Sequence, residues 1–239
     1  DNFLWGRHPV LAALANPARR LERLLLAESP DPDMVRRIAT LRLPLGPEVV
    51  GRAALEALLP SAAVHQGLAL KVRPLPQESL AGLLEQLGER AGVVVALDHV
   101  TDPQNVGAIL RSAAAFGAAA VLTTQDHAPP EGAAMAKAAS GGLEVCPYLR
   151  ETNLARALDQ LKEAGFWVYG LDEAGEAPLK AGEAAPRSVV VLGAEGEGLR
   201  RLTRERCDRL FRLPTRPPIA ALNVSNAAAV ALYELLARG

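Results

Sequence analysis

The chain has 239 residues, enough to bury a core as one large domain or two small ones. Its 26 Lys and Arg against 27 Asp and Glu leave a net charge of −1, which removes the simplest argument for a nucleic-acid partner. Two cysteines, Cys146 and Cys207, stand without paired spacing. They exclude a disulfide framework and a cysteine-based zinc motif, and fit a reducing cytoplasm. The uncharged runs are broken by Pro, Gln or Asn, which argues against a membrane span, and no secretory leader pattern opens the sequence.

In chain order, the spacing of apolar residues predicts a helix over 8–15, a strand over 24–27, helices over 32–41 and 48–59, and a strand over 68–72. Residues 74–79, Pro-Leu-Pro-Gln-Glu-Ser, continue neither a helix nor a central strand. A domain boundary is therefore expected there, with a small α/β domain over 1–73, a linker over 74–90 and a second domain over 91–239. The boundary also divides the charge: ten basic and seven acidic residues before it give +3, sixteen and twenty after it give −4.

Beyond it, apolar runs at 93–97, 119–122, 144–148, 166–170, 189–193 and 209–213 alternate with segments of helical spacing, the pattern of a parallel α/β sheet. Runs such as Val93-Val94-Val95-Ala96-Leu97 are apolar throughout, as strands covered on both faces must be. The last helix, about 224–237, has no polar face before Glu234 and is expected to be buried in the core or against a partner chain.

Three segments carry polar residues that point to chemistry. In the first, 97–111, a strand ends, a Pro-containing turn follows and a helix begins near Asn105; Arg111 is the only charge between Asp102 and Asp126. That guanidinium either pairs with a buried carboxylate or helix end, or is aimed at a phosphate or ribose, and spacing does not choose between the two. In the second, Gly193-Ala194-Glu195-Gly196-Glu197-Gly198 follows a strand. Its glycines allow close approach of a ligand to the backbone, and its carboxylates suit a ligand bearing positive charge. The bland reading has Glu195 and Glu197 stabilising the amino end of the next helix. The third, 217–226, leads into the last helix; Asn223 is a natural cap there, or else a group that hydrogen-bonds within a site.

Seven arginines between 200 and 216 face only Glu205 and Asp208, a local charge of +5 that reads either as a solvated face or as a phosphate-backbone contact. The four histidines lack ligand spacing and no metal site is expected. A doubly wound nucleotide enzyme would place its phosphate loop after the first strand, where 98–105 has two acids and no glycine.

Taken together and in this order, the three segments resemble the three motifs of the SpoU branch of the SPOUT RNA methyltransferases. The likeness rests on Asn105 and Arg111, on Gly193 to Gly198, and on Leu222-Asn223-Val224-Ser225. Gly6-Arg7-His8-Pro9-Val10 and Val64-His65-Gln66-Gly67 look like the ends of the small amino-terminal RNA-binding domain of the ribosomal-RNA members. Within the branch the likeness is to bacterial enzymes that methylate a guanosine 2′-hydroxyl of large-subunit ribosomal RNA; a transfer-RNA 2′-O-methyltransferase and a non-catalytic RNA-binding protein are the alternatives. The resemblance implies an α/β fold whose parallel sheet ends in a deep trefoil knot, preceded by a small α/β RNA-binding domain. It further implies S-adenosylmethionine as cofactor, no metal, an RNA partner, no membrane, a cytoplasmic location, and a homodimer with the active site near the subunit interface. It places the cofactor on Gly193, Leu213 and Leu222, and catalysis on Asn105, Arg111, Glu195 and Asn223. One position departs: Ala221 stands where many members have Ser.

Overall fold

The computed structural model describes residues 2–61, 63–180, 184–216, 218 and 221–237. The first 72 residues build one sheet from β1 (Phe3–Trp5), α1 (Arg7–Ala15), β2 (Leu21–Ala27), α2 (Pro32–Ala39), β3 (Pro47–Val50), α3 (Arg52–Ala57) and β4 (Leu68–Val72). Its strand order is β1-β4-β2-β3; β4 runs antiparallel to both neighbours, and β3 is parallel to β2. The helix expected over 48–59 loses its start to β3, where Glu48, Val49 and Val50 pair with Leu25, Leu26 and Ala27. Two adjacent valines favour the extended chain, and helix begins only after Gly51. Strand β1 was not expected, because three residues are too few to show a period.

The second sheet takes its elements from α4 (Leu80–Leu87), β5 (Gly92–Asp98), α5 (Pro103–Phe116), β6 (Ala120–Thr124), α6 (Ala133–Ala139), a 3₁₀ turn (Gly142–Glu144), β7 (Tyr148–Glu151), α7 (Leu154–Glu163), β8 (Trp167–Leu171), β9 (Ala177–Pro178), β10 (Arg187–Gly193), α8 (Arg201–Arg206), β11 (Arg209–Arg212) and α9 (Val224–Leu232), which continues as a π-helical turn, Tyr233–Ala237. The order is β7-β6-β5-β10-β8-β11-β9, with every pair parallel. The strand expected over 144–148 starts at Tyr148, since Pro147 has no N–H for the ladder. Of the expected linker, residues 80–87 form α4, capped by Ser79, and Leu80 and Leu83 join the core of the second sheet.

The uniformly apolar strands are covered on both faces, as expected. Val93, Val95 and Leu97 face α5 and α9 through Val106, Ile109, Leu110, Ala228 and Leu232. Val94 and Ala96 face α4 and α7 through Leu80, Leu83, Leu154, Leu158 and Leu161. From β5 the chain proceeds outward to β6 and β7, whereas β10 returns to lie on the other side of β5. The carboxyl ends of β5 and β10 therefore flank the switch in direction where parallel sheets hold their ligands. No helix among the described residues is long and apolar enough to cross a membrane.

Candidate active site

Strand β10 ends at Gly193, paired with Asp98 at the end of β5. The chain then doubles back: the Gly198 N–H donates to the Ala194 carbonyl at 2.9 Å, and the two residues form a β-bridge. A Cβ on Gly193 would stand 2.1 Å from the carbonyl carbon and oxygen of Gly198. Gly196 and Gly198 take left-handed φ values of +81° and +65°. The loop's own turn thus requires glycine at these positions.

The far end of the loop is pinned. Asp98 is fully buried and accepts from the Arg200 backbone N–H at 2.9 Å and from Arg200 Nε at 2.6 Å. Sequence reasoning missed this carboxylate; its only signal is an acid closing an apolar strand. His99 follows in a left-handed conformation, its buried Nε2 without a hydrogen-bond partner among the described residues. Burial, then Arg200 and His127, lower its pKa against the opposing pull of Asp98 and Glu197.

Helices α5 and α9 pack together, so their amino ends meet beside the loop. Asn105, in the first turn of α5, accepts at Oδ1 from Asn223 Nδ2 at 3.1 Å. The same amide nitrogen donates to Glu195 Oε1 at 2.5 Å, and the Val224 N–H reaches that oxygen at 3.4 Å. Asn223 Oδ1 meanwhile accepts from the Ser225 N–H at 2.9 Å and its hydroxyl at 2.6 Å. Asn223 is therefore a helix cap and a bridge between two other polar residues at once. Glu195 does meet a helix amino end, but that of α9 rather than of α8.

A cavity of about 320 Å³ opens beside this cluster, with Glu195, Gly193, Leu213 and Leu222 in its wall. The structure thus brings three of the four expected catalytic residues together, and all three expected cofactor positions around one cavity. Asp172, Glu173 and Glu197 add further carboxylates to the wall, Leu171 and Leu192 apolar surface. Of the third segment, Pro217, Ile219 and Ala220 lie outside the described residues; Ala221 lines the cavity.

Arg111 stands apart. It lies six positions beyond Asn105 on α5, about one and two-thirds turns further round. It is exposed and has no ion pair or side-chain hydrogen bond among the described residues. Among the described residues it pairs with no buried carboxylate.

The basic segment is largely consumed within the chain. Arg200 pairs with Asp98, Arg201 with Glu205, Arg204 with Asp172 and Arg206 with Asp159. Arg212 donates to the carbonyls of Gly175 and Glu176. Burial pushes the Cys146 and Cys207 thiols up to about 12, so neither is a nucleophile at neutral pH. No cluster that would hold a metal ion occurs among the described residues.

Residues 92–233 match the model of the SpoU rRNA methylase family. The chain belongs to that family. Residues 3–78 of this SpoU methylase also match the model described as RNA 2′-O ribose methyltransferase substrate binding. It is 40% identical to the 23S rRNA (guanosine-2′-O-)-methyltransferase RlmB of Pseudomonas aeruginosa, over 98% of this chain and 95% of that protein. With the protein of the same description from Coxiella burnetii it shares 35% identity, over 97% and 94%. Among solved structures, the SpoU methyltransferase AviRb from Streptomyces viridochromogenes, in complex with AdoMet, superposes with a TM-score of 0.78 at 22% identity, over 99% of this chain and 89% of the other. An RNA 2′-O ribose methyltransferase superposes with a TM-score of 0.76 at 25% identity, over 97% and 86%.

Proposed function

We propose that this SpoU methylase transfers a methyl group from S-adenosylmethionine to a ribose 2′-hydroxyl of RNA, at a guanosine of 23S ribosomal RNA. The observation that carries the reading is the meeting of Asn105 and Asn223 with Glu195, itself in the wall of the cavity that Gly193, Leu213 and Leu222 line. The site fits the cofactor in chemistry: leucine side chains suit its adenine, and the carboxylates suit its sulfonium and ammonium charges. When bound, the cofactor supplies an electrophilic methyl group on a positively charged sulfur.

The chain's own residues hold the hydroxyl and its proton. Asn223, locked by its cap to Ser225, fixes Glu195 Oε1 and Asn105 in one geometry; such positioning is the main source of rate in a displacement of this kind. Glu195 Oε2, with no hydrogen bond among the described residues, is assigned to the departing 2′-hydroxyl proton. Arg111 is assigned to the ribose and its neighbouring phosphate, because a guanidinium is too basic to accept the proton itself.

Residues 1–73 are proposed as the RNA-binding domain, supported by the match over 3–78, with 91–239 as the catalytic domain. A homodimer is supported by the exposed Val230 and Tyr233 on the last helix, whose other face is buried through Val224, Ala228, Ala231 and Leu232. A second copy would also complete a site from which Arg111 stands apart. The deep trefoil knot and a cytoplasmic location belong to the same reading.

Incubation with methyl-labelled S-adenosylmethionine and unmodified 23S ribosomal RNA or transfer RNA, followed by mapping of the label, tests the proposal. Label at a single guanosine ribose of 23S RNA is expected; label in transfer RNA alone would overturn the substrate. Asn223→Ser keeps a capping oxygen but loses the amide donor, so stability should change by less than about 0.5 kcal/mol. Turnover should nevertheless fall at least about tenfold in the same preparation, since only the positioning is lost. Arg111→Ala should lower kcat/KM for RNA by about 100-fold with cofactor affinity retained; a wild-type rate would remove Arg111 from the mechanism.

A further inference from the structure

Outside the site, the most completely enclosed charge among the described residues is Arg19. Its side chain is 0% exposed, and the carboxylates it meets, Glu131 and Glu144, are 12% and 4% exposed. Arg19 Nε and Nη2 engage the two oxygens of Glu144 at 3.1 and 2.5 Å, while Nη1 reaches Glu131 and the Arg73 carbonyl. Asn16 Nδ2 adds a bond to Glu144 at 2.8 Å, and the Leu75 N–H one to Glu131 at 3.0 Å. Burial works to lower the Arg19 pKa, but Glu144 and then Glu131 outweigh it, so the guanidinium is held charged.

The partners come from opposite sides of the proposed domain boundary. Arg19 and Asn16 lie between α1 and β2, whereas Glu131 precedes α6 and Glu144 ends the 3₁₀ turn. Arg73 and Leu75 are the first links of the connecting segment, so the same cluster also grips the connection. Beside it, the turn at 140–142 is wedged between two helices. A Cβ on Gly141 would stand 2.9 Å from Ala12 Cβ of α1, and one on Gly142 would stand 2.9 Å from Arg111 Cα of α5. The first sheet is thereby seated on the very turn that abuts the backbone of Arg111.

Buried ion pairs are poor devices for stability alone, since apolar residues of similar volume commonly do as well. What a forked guanidinium between two carboxylates does supply is one relative orientation, because its planar set of donors fits the acceptors in one arrangement. We propose that Arg19 is a positioning residue: its lock on Glu131 and Glu144 holds the amino-terminal RNA-binding sheet at a fixed distance from Arg111, so that RNA held by the first sheet presents its ribose to the catalytic one. This rests on the function proposed above, and it deepens that function by naming what joins recognition to catalysis.

The test compares full-length wild type with Arg19→Met and the milder Arg19→Lys. Arg19→Met should raise KM for the RNA by about tenfold or more, with kcat at saturating RNA and S-adenosylmethionine affinity by calorimetry within about twofold. Small-angle scattering should show a larger radius of gyration, and protease should newly cut within 74–79. Arg19→Lys, which keeps the charge but not the fork, should fall between the two. Unchanged scattering together with unchanged KM in both variants would overturn the proposal, as would cofactor affinity and kcat falling in step with KM. Should Arg19→Met fail to fold, Arg19→Lys alone carries the comparison, with a rise in KM of about threefold expected. If wild type methylates no RNA, the proposed reaction fails, while scattering and proteolysis still decide whether Arg19 locks the two sheets.

Discussion

Gly193→Ala should nearly abolish cofactor binding while leaving a folded protein. The new Cβ would lie 2.1 Å from Gly198 C and O and 2.5 Å from Leu199 N. These are backbone atoms, so no side-chain rotation relieves the clash, and the 194–198 loop must move as a unit. Overpacking of this kind costs about 1–3 kcal/mol, which in a chain of this size lowers Tm by roughly 2–12 °C. The larger effect falls on the cavity, because the displaced loop forms its wall. A fall of about 100-fold in S-adenosylmethionine affinity, some 2.7 kcal/mol, should appear by calorimetry. Gly196→Ala is the control. It meets nothing within 4 Å and suffers only from φ of +81°, so it should cost about 1–2 kcal/mol and disturb binding far less. Wild-type affinity in Gly193→Ala would show that the loop does not shape the cofactor site.

The strands most plainly legible in the sequence were those buried on both faces. Val93 to Leu97 and Val189 to Leu192 are apolar without interruption because no residue of either run meets water. β1 and β3 escaped notice because three or four residues show no period, and β3 is largely exposed on an edge. The site was legible where a residue type and a motif coincided, as at Asn105, Glu195 and Asn223. It was illegible where a charge found its partner far along the chain. Arg200, Arg206 and Arg204 take acids 102, 47 and 32 positions away, and Arg19 takes acids 112 and 125 away. A local charge of +5 counts none of these, so a stretch that reads as a solvated face or a phosphate contact spends four of its arginines on ion pairs within the chain. The near-neutral total reflects acids and bases that neutralise one another within the fold.

The pair between Asp98 and Arg200 should respond unequally to loss of its two members. Asp98 is 0% exposed, whereas the Arg200 side chain is 45% exposed. Arg200→Met leaves a buried carboxylate with only the residue-200 N–H for company, and removing one partner of a buried charge costs about 3–5 kcal/mol. Asp98→Ala leaves a guanidinium free to turn into water, and what remains unmet is the Arg200 backbone N–H, at about 1–3 kcal/mol. Thermal melts should therefore fall by roughly 6–20 °C for Arg200→Met and by less for Asp98→Ala; the reverse order would refute this account of the pair. Because Arg200 closes the glycine loop at its far end, Arg200→Met should also weaken S-adenosylmethionine binding by about tenfold. It should not change how RNA affinity depends on salt, since its charge is already spent on Asp98. Arg111→Ala, which removes a guanidinium with no ion pair among the described residues, should lower that salt slope by about one. The two arginines, alike in a charge count, are thus separated by a titration with potassium chloride.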